Sequence, residues 1–195
     1  RMHHGLLVLW LSEGERSTLI DFIVGRAVVD DAWVEKMMCP ASRGAVNVNA
    51  TPTVTSFGFD IRNYRQLTKR QAGLATADFG NLELAWALGF ARTTTMRAQA
   101  AVVGNTVFLP VAEAGQLYAI DISTDTPCFK WVYRNPIPLR TGAAFGTLPG
   151  SGRKVLVFGD IAPLVHMVDA TTGQEIWRQS VRLTSLSNGT ATPVI

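Results

Sequence analysis

The sequence predicts an all-β chain built from repeated four-stranded blades, with a short helical segment in front of them. Three observations carry this. Trp86, Trp131 and Trp177 stand 45 and 46 residues apart, and a fixed period in that range marks propeller blades. Around two of these tryptophans one order of residue types recurs: two apolar runs joined by a tight turn, an Asp closing the second run, a polar turn, then the Trp. The fuller copy is Val155 to Trp177, VLVFGDIAPLVHMVDATTGQEIW; the other is Thr106 to Trp131, TVFLPVAEAGQLYAIDISTDTPCFKW. Last, Ala101-Val102-Val103 is echoed two periods on by Pro193-Val194-Ile195. The expectation is a partial propeller of about two to three blades, ending in mid-blade.

Composition narrows the class. An apolar fraction of 47% with 17% charged residues belongs to a folded chain. The net charge of +3 is mild, and Arg62 to Arg65 and Lys69-Arg70 are only loose basic clusters, so nucleic acid is not expected as a partner. No apolar run approaches the roughly 18 residues of a membrane span, and Gly5 to Leu11 is too short for one. Starting on Arg1 and finishing inside a blade, the chain is expected to be a piece of a longer protein.

Taken in order, residues 1–38 form the helical segment, 39–55 a linker and 56–195 the partial propeller. Ser12 and Glu15 have the spacing of a capping box, followed by a one-sided stripe of Leu19, Ile20, Phe22 and Ile23 and a terminating Gly25. A second short helix is expected over Asp30 to Met38, with Trp33 and Met37 on one face. Residues 39–55 are rich in Pro, Ser, Asn and small side chains, which suits a loop. A further short helix follows Gly73-Leu74, with Thr76 as cap and Asp78 in the first turn. Leu82, Leu84 and Trp86 then alternate as a half-buried strand should.

Within the repeat each residue type has a physical task. Inner strands buried on both faces need nearly continuous apolar residues, as in Val155 to Phe158 and Leu164 to Val168. Asp169 can accept backbone N–H groups in the turn, and Gly173 can supply its positive φ. Trp177 is expected to lie on the adjacent blade, burying on the order of 150–250 Å², so that its truncation costs roughly 3–5 kcal/mol. Pro127 stands where Gly173 stands, so the first copy must turn differently. Asp121 and Asp169 recur at matching places and read as architecture, and His166, matching Tyr118, reads as a packed strand residue. Cys39 and Cys128 leave two alternatives: a disulfide, suited to an oxidising compartment, or two unpaired buried thiols. Zinc would need more ligands than the single one in Met37-Met38-Cys39-Pro40.

Two stretches resemble known families. Leu11 to Arg26, LSEGERSTLIDFIVGR, resembles the closing helix of a class I c-type cytochrome domain, which would put Met2 near the place of an axial Met, with His3 or His4 as competitors. The chain has no Cys-x-x-Cys-His, so haem c is implied only if sequence ahead of this chain carries that motif. The second resemblance rests on Phe57-Gly58-x-Asp60-x-x-Asn63-x-Arg65, Ala72-Gly73-Leu74, Leu82-x-Leu84-x-Trp86-Ala87, Leu117 to Asp121, Cys128-x-x-Trp131, Leu139-Arg140-Thr141, Phe158-Gly159-Asp160 and Asp169-Ala-Thr-Thr-Gly-x-x-x-Trp177. Residues 56–195 are similar there to the polyvinyl-alcohol dehydrogenase-like quinoproteins, members of a superfamily of propeller repeats that bind pyrroloquinoline quinone (PQQ).

The resemblance implies an eight-bladed propeller in the complete protein and a periplasmic or secreted bacterial enzyme. It also implies PQQ and Ca²⁺ as cofactors, a small or polymeric alcohol as substrate and a cytochrome c as electron acceptor. Its Asp-Ala-x-Thr-Gly-x-x-x-Trp box also occurs in non-catalytic propellers that act as protein-binding scaffolds of the outer-membrane assembly type, and that alternative stays open. For the enzyme reading, Arg140 is the first candidate to hold a PQQ carboxylate. It follows Pro136-Ile137-Pro138 and precedes the small run Thr141 to Ala144, which would let a planar cofactor approach. Gln99 and Arg97 are weaker cofactor candidates, Asp160 is the candidate catalytic base, and no metal ligand is assigned. The alternatives are a blade-edge Arg for Arg140 and a hairpin-turn Asp for Asp160.

Overall fold

A computed structural model describes Ser12, Glu15, Leu19, residues 31–91 and residues 93–195. The chain divides into two compact units, Arg1–Lys36 and Met37–Ile195. In the first, the expected capping box is present: the Ser12 N–H and Oγ–H donate to Glu15 Oε2 at 2.8 and 2.7 Å, and the Glu15 N–H donates to Ser12 Oγ at 3.3 Å. Helix α1 is shorter than expected, Ala32–Lys36, and Val34 is its buried residue, where Trp33 and Met37 were expected to form the apolar face. The rest of the cytochrome-like stretch, with Met2, His3 and His4, lies outside the described residues.

The second unit is made of two antiparallel sheets. Strands β1 (Pro52–Val54), β2 (Ala101–Val103), β3 (Thr106–Val111), β4 (Gln116–Asp121) and β5 (Cys128–Arg134) pair in chain order. Strands β6 (Ala144–Thr147), β7 (Lys154–Gly159), β8 (Leu164–Asp169) and β9 (Glu175–Ser180) make the other sheet, also in chain order. Up-and-down meanders of four strands are propeller blades, and β2–β5 and β6–β9 are such meanders; β1 adds a fifth strand beside β2. The two blades share their register. Each carries an irregularity one step before the closing Asp, between Ala119 and Ile120 and between Met167 and Val168, and Trp131 and Trp177 sit opposite Ala119 and Met167.

The core lies between the sheets. Phe108, Leu117, Ala119, Trp131 and Tyr133 of the first cluster with Phe145, Leu156, Phe158 and Val168 of the second, and Leu139, Ala143 and Ala170 join them from the connecting segments. As expected for inner strands, β4 is buried at every residue and β7 at all but its first. Trp131 lies on the turn that follows β8: its indole N–H donates to the Ala170 carbonyl at 3.3 Å, and its ring comes so close to Gly173 that an added Cβ there would sit 2.5 Å from Trp131 Cε3. Gly173 does have the positive φ expected of it, 72°. The Asp169 carboxylate takes the N–H groups of Thr171 and Thr172 at 2.8 and 3.1 Å, and Arg153 pairs with it at 2.6 Å. The first copy turns differently, as Pro127 requires: Asp121 accepts the Ser123 hydroxyl at 2.6 Å and forms ion pairs with Arg43 and Lys130.

Three expectations fail. Trp177 is 40% exposed, against 8% for Trp131, because no described blade covers the outer face of β9. Residues 82–90 form no strand, and Leu84 is 83% exposed; alternation makes a strand only where a neighbouring strand completes the ladder. Likewise Pro193-Val194-Ile195 forms no strand, although Ile195 lies against Gly146 of β6.

The stretch expected as a linker or loop, residues 39–55, is held down on the first sheet. Cys39 and Cys128 form a disulfide, Met38 bridges Phe129, and Lys130 Nζ donates to the carbonyls of Arg43 and Ala45 at 3.1 and 2.8 Å. Helix α2 (Lys69–Ala72), not anticipated, has a full capping box from Thr68 and Gln71 and ends on Gly73 at φ 67°. The expected helix beyond Gly73 is a 3-10 turn, Thr76–Asn81, in which Asp78 takes the Ala75 N–H at 2.6 Å and Thr76 is the first turn residue, not the cap.

Candidate functional site

The Arg140 backbone is fixed before its side chain matters. Leu139 bridges Asp160, the Leu139 N–H donates to Ala112 O at 3.0 Å and the Arg140 N–H to Gly159 O at 3.1 Å. Asn135 Nδ2 holds the Ile137 carbonyl at 2.9 Å, so the segment with Pro136 and Pro138 has little freedom. These ties direct Arg140 to the wall of a cavity of about 300 Å³, which Arg97 also lines. Thr141 and Gly142, Thr190 to Thr192 and the loop that starts at Ser56 line it as well.

That loop explains the Phe-Gly-x-Asp-x-x-Asn-x-Arg motif. Phe59, Asn63 and Arg65 all have φ in the left-handed region, at 80°, 54° and 54°. Such conformations cost about 1–3 kcal/mol each for non-glycine residues and persist only where surrounding contacts enforce them. Here Asp60 pairs with Arg62 at 2.5 Å, Asn63 accepts from Arg65 Nε at 3.2 Å, and the Arg65 guanidinium lies 5.0 Å from the Phe57 ring centroid. A Cβ on Gly58 would overlap Asn63, which is why glycine stands there. Gln99 is the anchor: its Oε1 accepts the Gly58 N–H at 2.9 Å.

Two of the three candidate cofactor residues, Arg97 and Arg140, therefore share one cavity, and the third braces its wall. Among the described residues neither guanidinium has an acidic partner, since the one carboxylate on the lining, Asp60, is engaged by Arg62. The hydrogen bonds from the Arg62 side chain and backbone hold the Asp60 carboxyl below the ordinary Asp range. The cavity is thus cationic and suits a ligand carrying carboxylates or phosphate. The small run beside Arg140 serves the chain itself: Gly142 is approached by Gln99 O and Thr192 Oγ1, each 3.0 Å from where a Cβ would stand. Among the described residues no three His, Cys, Asp or Glu are grouped to hold a metal ion.

Asp160 lies in the β7–β8 turn with no exposed surface. Its Oδ1 accepts the N–H groups of Ala162 and Leu164, both at 2.9 Å, and its Oδ2 accepts Asn135 Nδ2 at 3.1 Å and His166 Nε2 at 3.0 Å. Sequence reasoning missed this last partner. His166 sits in β8 with no exposure, as a packed strand residue should, but both of its ring nitrogens are engaged: Nδ1 meets the Tyr133 hydroxyl at 3.1 Å, and Tyr133 donates to Glu175 Oε2 at 2.6 Å. Burial first, then the hydrogen bond to Glu175, pushes the Tyr133 phenol well above its ordinary range. The available signal was a His on an otherwise apolar inner strand, six residues after an Asp.

Comparison with known proteins agrees with the fold. No family model matches the chain. It is 29% identical over 155 residues to the polyvinylalcohol dehydrogenase of Sphingopyxis sp. (strain 113P3), an alignment covering 78% of this chain and 23% of that protein. Its fold matches a europium-containing methanol dehydrogenase with a TM-score of 0.54 and 20% identity, over 72% of this chain and 26% of the other. The fold is that of part of a β-propeller. BamB from Moraxella catarrhalis aligns with a TM-score of 0.40 and 23% identity, over 56% of this chain and 31% of its own. The resemblance to the polyvinyl-alcohol dehydrogenase-like proteins thus holds as a similarity along most of the chain, while the chain spans about a quarter of the length of that relative.

Proposed function

We propose that this chain is a two-blade portion of a propeller that oxidises an alcohol with PQQ, of the polyvinyl-alcohol dehydrogenase kind. The observation that carries the reading is the pair of guanidiniums, Arg97 and Arg140, without acidic partners among the described residues, in one cavity of a chain similar to polyvinylalcohol dehydrogenase. The donor set fits the cofactor: two planar cations and the hydroxyl of Thr192 offer directional hydrogen bonds to carboxylates, while the Thr141 hydroxyl donates to the Gly142 carbonyl. PQQ, with Ca²⁺ as a Lewis acid, supplies the hydride acceptor when bound. In this reading Arg140 grips a carboxylate of the cofactor, Arg97 adds charge from the same cavity, and Gln99 keeps the strained loop in place as a positioning residue.

Asp160 enters this proposal in a changed role. A base must reach the substrate hydroxyl, and this carboxylate faces four protein donors instead. Its task is to close the turn whose backbone pairs with Leu139 and so aims Arg140. Electron transfer to a cytochrome c and a periplasmic or secreted location belong to the same proposal, supported by the cytochrome-like Leu11 to Arg26 and by the disulfide. No described helix is long and apolar enough to cross a membrane.

Titration with PQQ and Ca²⁺ tests the reading. The 195-residue chain, lacking a closed ring, is expected to show neither tight saturable binding nor alcohol turnover, and tight binding would refute that expectation. In the complete protein that carries it, PQQ should bind, and Arg140→Ala should weaken binding roughly 10–100-fold, the worth of a charge-assisted hydrogen bond. A complete protein that binds no PQQ returns the chain to the scaffold alternative.

A further inference from the structure

Arg97 and Arg140 are equivalent residues of the two blades. Arg97 stands four residues before the start of β2 and Arg140 four before the start of β6, in the matching runs Met96-Arg-Ala-Gln-Ala-Ala101 and Leu139-Arg-Thr-Gly-Ala-Ala144. Up to β2 and β6 both runs are irregular apart from the single bridge at Leu139. No ladder therefore aims either guanidinium, and other contacts must do so.

In each blade the support comes from the turn between its second and third strands. For Arg140 this is the β7–β8 turn, where Gly159 O takes the Arg140 N–H at 3.1 Å and Asp160 bridges Leu139. For Arg97 it is the β3–β4 turn, Ala112 to Gly115. The Glu113 carboxylate there accepts the Thr94 N–H at 2.5 Å, the Thr94 hydroxyl at 3.0 Å and the Thr95 hydroxyl at 2.7 Å. These donors lie two and three residues ahead of Arg97, and Gln99, two residues after it, is tied to Gly58. The β3–β4 turn also carries the segment that leads to Arg140. Ala112 O accepts the Leu139 N–H at 3.0 Å and Gly115 O the Asn135 N–H at 2.8 Å. The fit is close enough that a Cβ on Gly115 would stand 2.2 Å from Asn135 O.

We propose that the β3–β4 turn is a common mount for the two guanidiniums, and that Glu113 is the positioning residue that sets Arg97 for the anion Arg140 also binds. The inference rests on the proposed anion-binding role of the cavity. Glu113 is not part of the cavity lining, and its oxygens are taken by donors of the run it holds. Charge and position predict opposite signs here. Acting through its field alone, a carboxylate in this region repels an anionic ligand, so its removal would tighten binding. Acting as an anchor, its removal frees the run that carries Arg97 and weakens binding.

The test titrates PQQ, with Ca²⁺ present, into the complete protein that carries this chain, and reads binding from the absorbance of the cofactor, not from turnover. Glu113→Ala should weaken binding about tenfold, with the thermal midpoint close to the parent's because Glu113 is exposed. Glu113→Gln keeps an oxygen for the Thr94 N–H and offers its amide to the Thr95 hydroxyl, so it should recover most of the affinity. Arg97→Ala combined with Glu113→Ala should bind no worse than Arg97→Ala alone, since the anchor then has no guanidinium left to place. Unchanged or tighter binding in Glu113→Ala, no recovery in Glu113→Gln, or additive losses in the double variant overturns this inference and leaves the cofactor reading standing. If Arg97→Ala and Arg140→Ala both bind PQQ as the parent does, the cofactor reading falls and this inference with it.

Discussion

Gly173 answers to two constraints at once. Its φ of 72° strains any side chain, and the space a Cβ would need is taken by the Trp131 ring of the neighbouring blade. Gly150 provides the comparison, with φ 81° and nothing within 4 Å of a Cβ. Gly173→Ala should therefore cost roughly 1–3 kcal/mol from overpacking beyond the conformational strain, whereas Gly150→Ala should cost about 1 kcal/mol from conformation alone; urea midpoints of the two variants check this. The tryptophans separate in the same way. Trp131→Ala should lose roughly 3–5 kcal/mol and Trp177→Ala far less, because only the first ring is covered. Asp121 shows the electrostatic counterpart. Burial alone would raise its carboxyl, but hydrogen bonds from Lys130, Ser123 and Arg43 and the charge of Lys130 outweigh that and hold it well below the ordinary range. A depressed carboxylate stabilises the fold above about pH 3.9, its unfolded value, and that contribution is lost as pH falls toward the folded value. In Asp121→Asn the Lys130 ammonium, 7% exposed, is left without its charge partner; a loss of about 3–5 kcal/mol is expected, together with a shallower acid limb in the unfolding curve.

At the scale of elements, the stretch from Cys39 to β1 sets the behaviour of the first blade. A blade at the open end of a propeller exposes strand edges that invite association. Here β1 pairs with β2, the disulfide ties the chain to β5, and Val46 reaches the core. The bridge spans 89 residues of sequence, for which the chain-entropy model gives about 4–5 kcal/mol. Thiol counting under denaturing, non-reducing conditions should find no free cysteine. Reduction should lower the thermal midpoint and increase light scattering as the edge is released. The outer face of β9 has no such cover among the described residues, and Trp177, Val181, Leu183 and Leu186 are exposed there and just beyond it. The 56–65 loop works as a unit as well: Gln99→Ala removes the acceptor of the Gly58 N–H and should loosen the cavity wall with little change in global stability, a difference hydrogen exchange at Gly58 resolves.

Over the whole molecule, two blades with one register and a shared core make a unit whose inner strands are protected on both faces. The candidate cavity is formed by segments far apart in sequence: the loop after Ser56, Arg97, the Arg140 segment and Thr190 to Thr192. None of these positions is set by a local preference; each is set by where the blades place its ends. PQQ binding is accordingly expected to depend on the closed ring and not on these two blades alone.

What the sequence determined by itself is whatever repeats or is local: the blade strands, the Asp and Trp places, the Ser12 cap, and the glycine at 173. Hydrophobic alternation and turn chemistry act over a few residues and so are written in consecutive letters. The tertiary structure decided the rest. It chose the disulfide over free thiols, left Leu82 to Trp86 without a ladder partner, and brought Arg97 and Arg140 to one cavity. It also joined His166, Asp160, Tyr133 and Glu175 in one hydrogen-bonded chain, because only the packing of one blade on another brings a phenol from β5 against an imidazole on β8.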